Sequence, residues 1–457
     1  MVTTRSSMKD KDVAFHLHPF TNPSAHEATG PHVIEKGSGI YLTDTDGKTF
    51  IDGMSSLWCC SLGYDEPRLV NAAYQQLQKL PYSHTFRGRS HPNLIELSEK
   101  LIKLAPNKLS KVFFANSGSE ANDTAIKLAW HYNNARGMPN KNKIVARQGG
   151  YHGSTVVTAS LSGLSYMHSA FNLPLGGIVF TDCPHFYRYA LAGETEEEFS
   201  SRLANNLEQL IILEGPDTIA AFIAEPVMGV GGVIIPPQSY FQKIQEVLHK
   251  YEILMIADEV ICGFGRTGSM FGSTTFEIRP DMMTMAKGLS SAYFPISALM
   301  ISDEVYGVMV SASQKDGVLA HGLTYSGHPV GAAIALEVLS IYEEQNICSH
   351  VRNVGKHFQS GLRQLLRNPL VGEVRGIGLM GGVELVANKD TKESFPVEVK
   401  AADRLALKAE KYGLFIRAVG DSLVMAPPLI ITETEIRELL ERFNNALEET
   451  SDELLVN

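Results

Sequence analysis

Two charged residues stand at the ends of apolar runs. Asp258 follows Ile253-Leu254-Met255-Ile256-Ala257, and Lys287 follows Met282-Met283-Thr284-Met285-Ala286. Runs this short and this apolar read as strands of a sheet covered on both faces. A charge at the mouth of such a strand costs free energy unless it is paired. Asp258 would suit a metal, an arginine or a cationic ring nitrogen. A desolvated lysine has a lowered pKa and can attack a carbonyl to form a Schiff base. Taken singly, each could equally be half of a structural ion pair. Ser117-Gly118-Ser119 precedes a helical pattern at 121–133, so free N–H groups and a positive dipole end are available to an anion there. The plainer reading is N-capping by Ser117 or Ser119, with Glu120 in the first turn. Tyr151 lies in Gly149-Gly150-Tyr151-His152-Gly153, where glycines let the backbone approach a flat ring.

Together these residues meet the needs of one cofactor, pyridoxal 5'-phosphate. It requires a lysine for its aldehyde, an acid facing its pyridine nitrogen, a phosphate cradle and a ring to stack on. Lys287, Asp258, Ser117-Gly118-Ser119 and Tyr151 supply them in that order, and Val260 is placed to cover the ring's opposite face.

Competing motifs are weaker. Gly263-Phe264-Gly265-Arg266-Thr267-Gly268 matches G-x-G-x-x-G after a strand, but no helix follows it and no acidic residue comes at the spacing a dinucleotide needs. Its glycines are expected to shape a loop over some other ligand. There is no P-loop motif. The five cysteines, Cys59, Cys60, Cys183, Cys262 and Cys348, form no C-x-x-C, so reduced thiols in a cytoplasmic protein are the simple reading. His16 and His18, and His84 and His91, lack a third ligand at convincing spacing and read as ordinary histidines; no metal is expected.

The elements that would position these residues alternate. Helical periodicity covers 65–80, 92–104 and 121–133, and strands are expected at 111–114, 143–147, 219–224, 253–257 and 281–286. A helix at 237–251 falls between two of them, and Glu194–Glu198 reads as the solvated start of another. This predicts an α/β fold, a mostly parallel sheet with helices on both faces and ligands at the carboxyl ends of the strands. A hairpin is expected at 39–52 around Asp46-Gly47. Past residue 325 come helices at 329–342, 399–411 and 434–449, and strands at 371–385, 413–417 and 422–426. We expect a large cofactor domain at 60–324 and a small α+β domain made from 1–59 and 325–457.

Composition fits an enzyme of this kind. Of 457 residues, 44% are apolar and 20% charged, enough for a large core. Lys+Arg total 40 and Asp+Glu 50, a net charge of −10, which disfavours nucleic acid and anionic membranes as partners. The polar stretch 1–12 does not read as a signal peptide, nor 218–237 as a membrane span. The 39 glycines predict many tight turns and close backbone approaches.

The motifs in order, NSGSEAND at 116–123, GGYHGS at 149–154, AEPVMGVGG at 224–232, ADEVICGFGRTG at 257–268, DMMTMAKGL at 281–289 and GLTYSGHP at 322–329, resemble those of the class III aminotransferases of the fold type I pyridoxal-phosphate family. The chain is most similar to the ω-amine and ω-amino-acid:pyruvate transaminases. The resemblance implies that Lys287 holds the cofactor and then moves a proton, and that Asp258 keeps the ring nitrogen protonated. It implies that Gly118 and Ser119 bind the phosphate, with Thr324 reaching it from the partner subunit. It places Tyr151 and His152 against the cofactor and Glu225 in the network of Asp258. Leu57 and Trp58 correspond to an aromatic substrate wall, Phe86 to an aromatic from the neighbouring site, and Arg417 to a mobile arginine that binds the acceptor's α-carboxylate.

One departure is informative. Ornithine-type members carry a glutamate where this chain has Val230, which argues against a 2-oxoglutarate half-reaction and for pyruvate. The expected enzyme is a homodimer or tetramer with sites at the subunit interface, working by ping-pong transfer from an amine donor to a keto acid. Arg87 and Arg89 are either surface charge or a cationic rim for a donor with a remote carboxylate. Two rivals remain at this point. A mutase or decarboxylase would use the same cofactor without forming stoichiometric alanine. A binding protein that kept the fold would have no need of the Lys287–Asp258 pair.

Overall fold

The computed structural model describes residues 7–106 and 108–455. Its centre is a seven-stranded sheet in the order Leu109–Ala115, Ser297–Ser302, Met282–Met285, Leu254–Asp258, Ile219–Ala224, Lys143–Arg147, Ile178–Thr181. From Met282–Met285 to Ile178–Thr181 every pairing is parallel. Ser297–Ser302 runs antiparallel to both its neighbours. The central strands are apolar because both faces are covered: every residue of Ile219–Ala224 and of Leu254–Asp258 is buried. Helix Gly118–Ala135 packs along one group of strands, while Tyr240–Lys250 pairs with Glu196–Glu214 and touches Leu254–Asp258. Thr195 and Glu198 form a capping box at the start of Glu196–Glu214, which accounts for the run of acids there.

Two four-stranded sheets complete the fold. One contains Ile34–Ser38, Tyr41–Asp44, Thr49–Asp52 and Leu414–Phe415; the other contains Val371–Ile377, Met380–Leu385, Ser422–Met425 and Arg417–Val419. In the first, the turn at Asp46-Gly47 has Gly47 at φ +82°, and Asp44 Oδ1 accepts from the N–H groups of both Asp46 and Lys48. Leu414–Phe415 pairs in parallel with Thr49–Asp52, so segments near both chain ends share a sheet. The long helix Pro329–Glu344, with ten buried residues, packs on Pro67–Lys79 and Pro92–Leu104.

Two features differ from the expectations. Strands Ile178–Thr181 and Ser297–Ser302 are not among those expected, although Gly176-Gly177 marks a turn just before the first of them. The segment expected as one strand at 413–417 divides at Ile416: Leu414–Phe415 joins one small sheet and Arg417–Val419 the other. Among the described residues no helix is long and apolar enough to cross a membrane. The first six residues of the polar start lie outside the described residues.

Candidate active site

The carboxyl ends of the central strands open onto a cavity of about 460 Å³. Asp258 closes its strand and faces this cavity while only 3% exposed. Its charge is satisfied from three sides. Oδ2 accepts from Asn122 Nδ2 at 2.8 Å and lies 2.8 Å from His152 Nδ1, and Oδ1 accepts from the Val260 N–H at 3.1 Å. Asn122 also donates to the His152 carbonyl, so helix and loop fix the carboxylate jointly. His152 Nε2 is buried and makes no hydrogen bond.

Lys287 follows Met282–Met285 and adopts φ +45°, a left-handed conformation uncommon for a residue with a side chain. Its ammonium has no hydrogen bond or ion pair among the described residues. Burial holds its pKa below the ordinary value, against the pull of Cys59, Asp258 and Glu225. A partly desolvated, unpaired lysine is the nucleophile that an aldehyde cofactor needs.

Helix Gly118–Ala135 points its N-terminus at the same cavity, with Gly118 and Ser119 on the wall. A Cβ at Gly118 would lie 2.9 and 3.0 Å from the two Val260 methyls, so glycine there permits a narrow cleft beside Val260. Ser119 Oγ accepts from the Ser154 N–H at 3.0 Å. Ser117 does not line the cavity; it is the N-cap, its hydroxyl accepting from the Glu120 N–H at 3.2 Å. The capping reading therefore holds for Ser117, and the part of this helix that lines the cavity starts one residue later. Tyr151 lines the cavity, and its N–H donates to Glu225 Oε1 at 3.0 Å. Glu225 Oε2 accepts from the Gly229 N–H at 2.9 Å. Burial pushes the Glu225 carboxyl above its ordinary range. Its bonds thus order the two glycine loops rather than reaching Asp258 directly.

The outer wall is a strained loop. Ser55, Ser56 and Trp58 all have positive φ, at 47°, 58° and 65°. Asp52 holds the turn through the N–H groups of Met54 and Ser56, and Ser55 Oγ donates to the Ala426 carbonyl at 2.7 Å. Arg266, from the GFGRTG motif, is buried and donates to Ser55 Oγ and to the carbonyls of Pro427 and Leu379. None of the residues 263–268 lines this cavity. Arg266 straps the Trp58 loop to the C-terminal strands. Leu57, Trp58, Val230 and Arg417 all reach the cavity, and the Arg417 guanidinium makes no hydrogen bond or ion pair among the described residues.

Two expected residues lie elsewhere. Phe86 packs on Gly322 beside a separate surface hollow, and the Thr324 carbonyl accepts from Tyr82 Oη at 2.6 Å. Neither lines this chain's own cavity. Asn122, Pro19 and Phe20 do line it and are absent from the sequence reading. Asn122 had a usable signal, since it stands one helical turn after Gly118 and so on the same face. Pro19 and Phe20 had none.

These residues fit pyridoxal phosphate: an unpaired lysine, a satisfied carboxylate, a helix N-terminus and a cleft that a methyl group would fill. Comparison with known proteins agrees. A family model described as aminotransferase class-III matches residues 23–447. The mitochondrial γ-aminobutyrate transaminase 1 of Oryza sativa subsp. japonica is 51% identical over 437 residues, 95% of this chain and 85% of the rice protein. The ω-transaminase from Pseudomonas jessenii, solved in complex with PMP, superposes with a TM-score of 0.97 at 50% identity, covering 98% of this chain and 99% of that one. A thermostable ω-transaminase variant, W58M/F86L/R417L, engineered for asymmetric synthesis of enantiopure bulky amines, gives the same TM-score of 0.97 at 50% identity over 98% and 100% of the two chains. With cofactor chemistry, fold and family in agreement, this chain belongs to the class III aminotransferases, enzymes of fold type I that transfer amino groups with pyridoxal phosphate.

Proposed function

We propose that the enzyme takes its amino group from an ω-amine or ω-amino acid and delivers it to pyruvate, forming alanine. The observation that carries the acceptor is the pairing of Val230 with Arg417 across one cavity. A carboxylate at position 230 would neutralise Arg417 or gate a second cation. Valine does neither, and Arg417 is left free for the single α-carboxylate of a small keto acid. Pyridoxal phosphate, when bound, supplies an electron sink that lets a C–H bond beside nitrogen ionise.

The chain's own groups do the rest. Gly118 and Ser119 bind the phosphate at the helix N-terminus. Asp258, oriented by Asn122 and His152, holds a proton on the pyridine nitrogen. Lys287 Nζ removes a proton from the donor carbon and returns it on the other side of the transfer. Tyr151 and Val260 hold the ring flat, and Trp58 excludes water and shapes the donor's seat. Tryptophan, phenylalanine and arginine stand here at the three numbers changed in the bulky-amine variant, which supports Trp58, Phe86 and Arg417 as the specificity set.

Phe86 and Thr324 sit together on a surface outside their own cavity, which favours a homodimer in which each chain completes the other's site. We also read residues 60–324 as the large unit and the two chain ends as the small one. The five free cysteines suit a reducing compartment such as the cytoplasm, which fractionation of tagged cells would test. The deciding experiment is a panel of γ-aminobutyrate, β-alanine and 1-phenylethylamine, each with pyruvate and with 2-oxoglutarate. Alanine formed with pyruvate, at rates well above glutamate formation, is expected. Faster turnover with 2-oxoglutarate would refute the acceptor assignment.

A further inference from the structure

The fold gives His16 and His18 the partners that their spacing does not. Helix Met8–Phe15 ends with His16 as its C-cap, placing Asp12 one turn earlier on the same side. His18 Nε2 lies 2.7 Å from Asp12 Oδ1, and His16 Nδ1 lies 3.4 Å from Asp12 Oδ2. The next helix, Pro23–Thr29, brings His26 Nε2 to 3.1 Å from Asp12 Oδ1. The rings of His16 and His18 are 4.1 Å apart at their centroids, and those of His18 and His26 are 4.3 Å apart. One ligand atom from each of Asp12, His16 and His18 falls within a 4.8 Å span; His26 lies outside that group of three and approaches it through Asp12 Oδ1 alone. All three histidines line one hollow of about 290 Å³.

Hydrogen bonds to Asp12 account for His16 and His18 but not for His26. Three imidazoles crowd one carboxylate, and protonating more than one of them sets cations against each other. His26 Nε2 is buried and, despite its distance from Asp12, makes no aligned hydrogen bond. Neutral imidazole lone pairs beside a carboxylate whose two oxygens both face them are also the donor set of a zinc-class divalent ion. Ligand atoms around a tetrahedral zinc stand about 3.3 Å apart, and the three separations from Asp12 bracket that figure. The other such cluster among the described residues is His185, Glu373 and Glu384. It is already neutralised by Arg375 and Arg188, so it offers no comparable vacancy of charge.

We propose that Asp12, His16, His18 and His26 bind one zinc-class divalent ion. Pro19 and Phe20 follow His18 directly and line the active cavity. The ion would therefore clamp the arm that forms part of the substrate wall.

The test uses tag-free holoenzyme, stripped with a chelator, dialysed, and titrated with zinc chloride against a chromophoric chelator. We expect one more tightly bound zinc per chain in the wild type than in the double variant His18→Ala/His26→Ala. We expect Asp12→Asn to weaken that zinc roughly tenfold or more, and His84→Ala to leave it unchanged. Hydrogen exchange provides a readout independent of activity: zinc should slow exchange across residues 8–29 in the wild type and not in the double variant. Equal zinc stoichiometry and affinity in the wild type and double variant overturn the proposal. So does zinc binding that leaves exchange in that segment unchanged, and so does magnesium displacing zinc at equal concentration.

Discussion

Replacing Gly118 by alanine should weaken cofactor binding without unfolding the protein. The added Cβ would lie 2.9 and 3.0 Å from the Val260 methyls, well inside ordinary carbon contact. Val260 cannot simply retreat: its N–H is bonded to Asp258 Oδ1, and a β-branched side chain has few alternative rotamers. Either Val260 turns off its rotamer or the helix start shifts, and both narrow the cleft where the ring lies. Overpacking of this kind costs about 1–3 kcal/mol. The clash with Val260 is present in the apoprotein too, but its relief by Val260 or the helix start moving narrows the cleft the ring must enter; whatever part of the cost is then met on binding weakens it by up to about 150-fold. The assay is reconstitution of apoprotein with increasing pyridoxal phosphate followed by absorbance, with circular dichroism melting of the apoprotein as the folding control. The double variant Gly118→Ala/Val260→Ala removes the methyls that the new Cβ meets and should recover most of the affinity. If the single variant binds the cofactor as tightly as wild type, or the double variant binds no better than the single, the steric reading of this cradle is wrong.

Further outcomes follow from other parts of the site. Arg266→Lys should lose at least one of the buried bonds to Ser55, Pro427 and Leu379, destabilising the protein by about 2–4 kcal/mol; urea denaturation would show it, and emission from Trp58, one of two tryptophans, should shift to the red. An unchanged midpoint and spectrum would show that the strap carries no load. Glu259 is buried, accepts from the N–H groups of Gly272 and Ser273, and is lifted by burial to about 7. The native state then holds its proton more tightly than the unfolded chain, so stability falls as pH rises from about 4.5 to about 7, by about 3 kcal/mol. Glu259→Gln should flatten that part of the denaturation-versus-pH curve, and an unaltered slope would contradict the assignment. Arg87 is exposed with φ +56° and makes no hydrogen bond or ion pair among the described residues. Arg87→Ala is expected to raise KM for an ω-amino acid more than for a simple arylalkylamine, and equal effects would remove it from substrate recognition.

The strands that deliver Asp258 and Lys287 were legible because burial on both faces leaves an uninterrupted apolar run, and a charge at its end stands out. The same logic located Glu225 after Ile219–Ala224. Ser297–Ser302 escaped because SALMIS mixes small, polar and apolar residues, and only its antiparallel place between two strands makes it buried. The division at Ile416 was invisible because sheet exchange is a tertiary event: the local residues suit a strand on either side of it. Asn122 was hidden inside a motif whose serines and glycine drew the attention, although helical periodicity puts it on the same face as Gly118. Pro19 and Phe20 reach the cavity through a long-range fold of the N-terminal arm, for which no local pattern exists. Arg266 shows the opposite case: a motif conspicuous for its glycines also carries a buried arginine that straps the Trp58 loop to Leu379 and Pro427.

The parallel pairing of Leu414–Phe415 with Thr49–Asp52 also sets an order of events during synthesis. Residues 49–52 leave the ribosome early, yet their partner strand is made only after some nine-tenths of the chain. At about 5–20 residues per second, that edge waits on the order of tens of seconds with its backbone unpaired. The adjoining Trp58 loop, anchored to Ala426 and Pro427, waits as long for its fastenings. The central sheet, whose strands lie between Leu109 and Ser302, can assemble during that interval, so the substrate wall is the last part of the active site to be completed. A nascent chain halted before residue 414 would present a formed cofactor floor beside an open, adhesive strand edge, the form most in need of a chaperone.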